Sequence, residues 1–238
     1  PGAEHTRFAH SLGAMYLMTQ ALDVLRQKGI EISEEEYTSA CSAILLHDTG
    51  HSPFSHCLEH VFFNCTHEEL SFEFMKKNSL PQTALDIFSN SYSRKFLHQL
   101  VSSQVDTDRL DYLTRDSFFT GVSEGIIGTE RILKMFNVQN DELVIDQKGI
   151  YSIEKFIISR RLMYWQVYMH KTVVAADNVL GKILLRAKHL QEEKKLHFEH
   201  SPLSEHLFYF LNNGAAEKDN KEALEQKNGR ISSYCTGK

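Results

Sequence analysis

The sequence predicts an all-α helical bundle with one small β-hairpin. Three observations carry this. Apolar residues recur at helical spacing through most of the 238 residues, helix-starting caps and helix-ending glycines punctuate those runs, and only one short stretch alternates as a strand pair does.

The first amphipathic run, about residues 7–27, is stopped by Gly29. Ser33, with Glu36 three residues later, forms a capping box that opens a second helix carrying Cys41 to Asp48. Thr49-Gly50 breaks that helix. Pro53 starts another, which includes His56, Glu59 and His60. Thr66 is the expected N-cap of the next, with Glu69 at the third position. Helices follow around residues 83–88, 92–101 and 106–119, the last ended by Gly121. Residues 135–145 change character: Asn140-Asp141 lies between flanks of alternating polarity, which predicts the hairpin. A long helical stretch over residues 152–191 is expected to kink near Gly181, and from Asn212 onward the chain is polar and loop-like.

No repeat or second domain is evident, so one domain is expected over residues 1–211, followed by a polar tail over 212–238. The chain opens at Pro1 almost directly on its first motif, and we expect a further segment upstream. With 42% hydrophobic and 24% charged residues, a single core of good size is within reach. The net charge of −5 argues against nucleic acid or a membrane surface as partner, since both call for a basic patch. The four cysteines (Cys41, Cys57, Cys65, Cys235) form no Cys-x-x-Cys pair, which disfavours a zinc knuckle. Cys41 and Cys57 sit in apolar helical context and are expected to be reduced. No run of about 18 apolar residues and no signal-peptide pattern occurs, so a cytoplasmic location is expected.

The most informative segment is Leu45-Leu46-His47-Asp48-Thr49-Gly50-His51-Ser52-Pro53-Phe54-Ser55-His56. An imidazole and a carboxylate stand side by side at the end of an apolar helical run. Alone, such a pair more often caps a helix than binds anything. His10, in Arg7-Phe8-Ala9-His10-Ser11-Leu12-Gly13, and Asp108, in Asp106-Thr107-Asp108-Arg109-Leu110-Asp111-Tyr112, change that reading. Together His10, His47, Asp48 and Asp108 would make a shell of two histidines and two carboxylates with room for water or a substrate oxygen. Such a set suits divalent Fe, Mn, Zn, Ni or Mg, and ligand softness does not choose among them.

The pattern His…His-Asp…Asp resembles the HD superfamily of metal-dependent phosphohydrolases. Four longer strings narrow the resemblance: Arg-Phe-x-His-Ser-x-Gly, His-Asp-x-Gly-His-x-Pro-Phe-Ser-His, Thr66-His67-Glu68 and Asp-x-Asp-Arg-Leu-Asp-Tyr-x-x-Arg-Asp. They are similar to the deoxynucleoside triphosphate triphosphohydrolase branch, which includes dGTPase-like and SAM-and-HD-domain enzymes. The resemblance runs from about Arg7 to Lys171 and implies an HD-domain helical bundle.

It also implies roles. His51, His56 and His67 would contact the α-phosphate or protonate the leaving 5′-oxygen, with Glu59 orienting a histidine from the place where a close relative carries Asp. Arg7, Arg109 and Arg160 match positions that hold the triphosphate. Arg109 stands where relatives carry Lys, and its bland alternative is a pair with Asp106 three residues back. Arg160 is preferred over Arg161 because it lies eight residues before Tyr168, nearly on one helical face. Tyr112, Asp116 and Tyr168 match sugar contacts, with Asp116 accepting the 3′-hydroxyl and Tyr168 packed near C2′.

The expected activity is hydrolysis of a dNTP to deoxynucleoside and inorganic triphosphate, with a divalent metal and additional Mg accompanying the substrate. The expected partners are the nucleotide and further copies of the chain. His170 and Lys171 resemble positions near an interface site. Two alternatives stand beside this. One is an HD hydrolase of another phosphate ester, such as a nucleoside monophosphate or a guanosine alarmone. The other is a catalytically silent nucleotide-binding regulator or scaffold.

Overall fold

The structure, a computed structural model, describes residues 2–52, 54 and 65–195. Contacts divide the chain into two compact units, Pro1–Thr49 with Ser71–Val173 and Gly50–Leu70 with Val174–Lys238. The expected boundary between residues 211 and 212 lies outside the described residues.

In the first unit, α1 (Arg7–Gln27) follows the N-cap Thr6, whose hydroxyl accepts from Ala9 N. Ala14, Met18, Ala21, Leu22 and Leu25 are fully buried along one stripe of it. This stripe packs on α2 (Glu34–Leu46) and on α6 (Thr107–Thr120). The capping box of α2 is present in both directions: Glu36 N donates to Ser33 Oγ at 3.1 Å and Ser33 N to Glu36 Oε2 at 2.8 Å. The helix ends at Leu46, earlier than the sequence predicts. His47 is its C-cap, and Asp48 lies in the following turn. Thr49 closes that turn by donating its hydroxyl to Leu46 O.

Helix α3 (His67–Lys77) begins in one unit and ends in the other. Thr66 and Glu69 form a second reciprocal box at its start. Two short helices follow, α4 (Gln82–Phe88) and α5 (Lys95–Val101). The latter starts three residues later than expected, because Ser91 and Tyr92 turn their N–H groups onto Asp86 O and Arg94 is extended. Helix α6 begins at the N-cap Asp106 and ends on Gly121 in the left-handed region, φ 72°.

Helix α7 (Thr129–Met135), of under two turns, leads into the hairpin and has no counterpart among the elements the sequence predicts. Strands β1 (Phe136–Gln139) and β2 (Glu142–Ile145) pair antiparallel, with Gln139 opposite Glu142. Asn140 and Asp141 both adopt positive φ, 54° and 60°, as a primed two-residue turn requires. The hairpin also caps α5, since Phe96 N donates to Asp141 O at 2.9 Å.

The expected kink near Gly181 is not there. Helix α8 (Ile150–Met163) instead passes into a π-helical turn, Tyr164–Tyr168, and a new helix, α9 (Lys171–Glu192), runs through Gly181 unbroken. A glycine inside a long helix costs only about 1 kcal/mol relative to alanine. The wide turn, closed by Met169 N on Tyr164 O at 2.7 Å, is the actual discontinuity.

Phe96, Phe136 and Phe156 are fully buried, and each contributes about 1.5–3 kcal/mol of apolar burial to the core of the first unit. Cys41 packs half-buried beside that core, where burial and then Asp23 push its thiol up to about 11, keeping it protonated. Cys57 lies outside the described residues. Among the described residues no helix is long and apolar enough to cross a membrane.

Candidate metal centre

Three elements of the first unit bring the central residues together. His10 lies in the first turn of α1 and is 8% exposed. His47 ends α2, its backbone held by Ser71, whose hydroxyl donates to His47 O at 2.6 Å. Asp108 is the second residue of α6. His10 Nε2 lies 3.1 Å and His47 Nε2 3.4 Å from the same Asp108 Oδ1. One ligand atom from each of His10, His47 and Asp108 falls within 4.8 Å of the others. Asp48 borders this group: its Oδ1 is 3.2 Å from His47 Nε2 and its Oδ2 3.9 Å from His10 Nε2. That same Oδ2 meets Arg7 Nη1 at 2.6 Å.

The outer nitrogens explain why the inner ones converge. His47 Nδ1 donates to Ile44 O at 2.6 Å, so Nε2 is the nitrogen that would offer a lone pair to a ligand in the neutral ring. That Nε2 is buried and has no hydrogen-bond partner. His10 Nδ1 faces Asp111 Oδ2 at 2.8 Å, and Asp111 is clasped by Arg115 through Nε at 2.8 Å and Nη2 at 2.7 Å. Burial opposes charge on His10, but Asp108 and Asp111 on its two sides outweigh it and push its pKa up to about 9. Burial likewise opposes the Asp108 carboxylate, yet the two imidazoles that face it hold it well below the ordinary range. A buried Nε2 aimed at a carboxylate and a second imidazole, in a set of nitrogen and hard oxygen donors, fits a divalent metal ion.

No sequence motif marks Asp111 or Arg115 for this role, although Asp111 stands one turn beyond Asp108 on the same helix. Gly13 makes room for them: a methyl there would fall on Asp111 Oδ1 and Arg115 Nη2.

Further along α6, Asp116 accepts from the Tyr168 hydroxyl at 2.6 Å and lies 2.8 Å from His5 Nε2. The Tyr168 ring packs edge-on to Tyr112 and Tyr164, with centroids 6.0 and 5.2 Å away. Burial, then Asp116, drives the Tyr168 phenol far above its usual pKa, so it stays a donor. The π-helical turn delivers Tyr168 here, so the regular eight-residue helical spacing from Arg160 does not apply, although both residues pack on the Tyr164 ring. Arg160 lies over the Tyr164 ring and donates to Gln104, whereas Arg161 lies over Trp165, which is 58% exposed. Arg109 bonds Asp106 through both its backbone N–H and its guanidinium. Burial raises the pKa of Asp106 to about 6 despite that arginine.

In the second unit, the His51 and His67 rings stack with centroids 3.9 Å apart and planes at 13°. His67 Nε2 also lies 3.2 Å from Glu68. His56, Glu59 and His60 lie outside the described residues. His170 accepts from Thr172 N at the start of α9.

A family model described as the HD associated region matches residues 127–201. The uncharacterized protein YwfO of Bacillus subtilis is 37% identical over 94% of this chain and 54% of its own length. A crystal structure of a phosphohydrolase from Bacteroides thetaiotaomicron superposes with a TM-score of 0.87, at 50% identity over 94% of this chain and 57% of that one. A Dictyostelium discoideum protein named deoxynucleoside triphosphate triphosphohydrolase SAMHD1 homolog is 29% identical over 72% of this chain and 38% of its own length. The chain spans about half the length of the curated relatives it matches, or less.

Proposed function

The chain belongs to the HD superfamily of phosphohydrolases, and on that premise we propose that it hydrolyses deoxynucleoside triphosphates to deoxynucleoside and inorganic triphosphate. The observation that carries this is the convergence of His10, His47 and Asp108, with the Asp116–Tyr168 pair further along the helix that bears Asp108. The names of the SAMHD1 relatives support the substrate class.

In this reading His10, His47, Asp48 and Asp108 hold a divalent metal. A divalent metal held by these residues would supply Lewis-acid polarisation of a phosphate oxygen and a more acidic water. The protein's own side chains do the rest. Arg7, already beside Asp48, offers its guanidinium to a phosphate oxygen. Arg109 and Arg160 complete the cationic cradle that about four negative charges require. His51, His56 and His67 are the candidates to touch the α-phosphate or protonate the leaving 5′-oxygen, with Glu59 orienting one of them. Asp116 receives the 3′-hydroxyl and Tyr112 lines the sugar pocket. The Tyr168 ring against C2′ leaves a ribose hydroxyl neither volume nor partner. Additional Mg travels with the triphosphate. A homo-oligomer in the cytoplasm is the expected setting.

The test is to incubate metal-loaded protein with each dNTP and its matching NTP, with and without added GTP or a second dNTP, and to separate the products. Deoxynucleoside with intact triphosphate is expected, at a rate at least about tenfold above the ribonucleotide. Equal rates on dGTP and GTP, or dNMP with pyrophosphate, would overturn the proposal in favour of a broader HD phosphoesterase.

A further inference from the structure

The segment before α1 is moored to the far end of α6 at three points. Gly2, at φ 94°, comes so close to that helix that a Cβ would lie 2.6 Å from Phe119 O. His5 stacks on the Phe119 ring, with centroids 4.7 Å apart and planes at 29°. His5 Nε2 reaches Asp116 Oδ1 at 2.8 Å. Tyr168 takes the other oxygen, Oδ2. Each oxygen of one carboxylate is thus met by a different part of the chain, 163 positions apart by the residue numbers 5 and 168.

A carboxylate has about four lone-pair sites, so two held contacts leave two directions open for a ligand. They also remove its freedom to rotate. An acceptor fixed in this way discriminates a hydroxyl from a hydrogen far better than one that can swing to water. His5 makes no contact in the His10–His47–Asp108 cluster among its described bonds, and its Nδ1 is buried without a hydrogen-bond partner. Its polar contact is with Asp116. We propose that His5 is a positioning residue for sugar recognition: by holding Asp116 Oδ1 against the Tyr168 bond to Oδ2, it sets the carboxylate to read the 3′-hydroxyl of a nucleotide. This rests on the reading of Asp116 as the sugar acceptor.

The test compares a dNTP with its 2′,3′-dideoxy analogue, which lacks only that hydroxyl. Wild type should prefer the dNTP by about tenfold or more, the range of a hydrogen bond to a charged group. In His5→Ala most of that preference should vanish through a higher KM for the dNTP, with the dideoxy KM little changed. His5→Gln, whose amide N–H can reach the same oxygen, should recover part of it. Gly2→Ala provides a second route, because it unseats the segment without altering His5, and should narrow the preference similarly. Should His5→Ala fail to fold, Gly2→Ala and His5→Gln still decide the matter. A wild type that prefers the dNTP alongside variants that prefer it equally would overturn the role of His5 alone. A loss confined to kcat would do the same. A wild type that treats both nucleotides alike would overturn the sugar reading of Asp116 itself, and this inference with it.

Discussion

His10 and Asp111 meet at 2.8 Å through Nδ1 and Oδ2, on the opposite side of the ring from the nitrogen that faces Asp108. A carboxylate behind a ligating imidazole fixes its tautomer, aims its ring and strengthens it as a donor. Arg115 holds that carboxylate with both oxygens engaged. Asp111→Ala should therefore keep the fold but weaken metal binding by about 10- to 100-fold. Competitive chelator titration measures this directly, and an affinity equal to wild type would show that Asp111 is a structural acid only.

Removing a ligand should do more. Asp108 is the carboxylate that both imidazoles approach, so Asp108→Ala takes away the charge around which the cluster is built. Elemental analysis of the purified variant should find most of the metal gone. A full equivalent per chain would sink the assignment of Asp108 as a ligand.

Gly13 tests the packing of the same network. Alanine is the better helix former by about 1 kcal/mol, and on propensity alone Gly13→Ala would stabilise α1. The added methyl would instead collide with Asp111 Oδ1 and Arg115 Nη2. Overpacking against a held ion pair costs about 1–3 kcal/mol, so the net sign should be destabilising. Denaturant unfolding reads the difference, and a variant more stable than wild type would show that the Asp111–Arg115 pair moves aside freely.

Much of this frame is legible in the residues because the signals are local. The cap at Ser33, the Asn140-Asp141 turn and the Gly121 stop each act within a few residues, and each is where the sequence predicts it. His10, His47 and Asp108 could be named because two short helical strings and a third carry them in recognisable company. What stayed hidden depends on distant partners. The π-helical turn at Tyr164–Tyr168 goes with a tyrosine that bonds Asp116 on another helix, and no periodicity announces it. Asp111 looks like any helical acid until α1 brings His10 against it. His5 looks like a loop residue until Gly2 seats it on Phe119. The expected helix end at Asp48 erred for a related reason: Thr49 and Ser71 secure the turn there through contacts that a linear pattern does not encode.

Away from the metal cluster, Glu36 predicts a pH response. It is 7% exposed and accepts from Ser33 N, the Tyr92 hydroxyl and Arg94. Burial works against its charge, but the Ser33 N–H and then Arg94 outweigh it, and its pKa is lowered from 4.5. A carboxylate with a depressed folded pKa stabilises the protein above its unfolded value, and that contribution is lost as the pH falls through the folded one. Glu36→Gln should therefore cost about 2 kcal/mol at neutral pH, the scale of a hydrogen bond to a charged group. The deficit should shrink as the pH falls below 4.5. A deficit that is the same at both pH values would place the effect in packing and not in charge.

The central claim is that water attacks the α-phosphorus of a dNTP, the 5′-oxygen leaves with the deoxynucleoside, and the triphosphate is released as one unit. Hydrolysis of dGTP by metal-loaded protein in heavy-oxygen water, followed by mass spectrometry of the products, tests it most directly. The account predicts one heavy oxygen in inorganic triphosphate and none in deoxyguanosine. Label in dGMP, in pyrophosphate or in the nucleoside itself would contradict it.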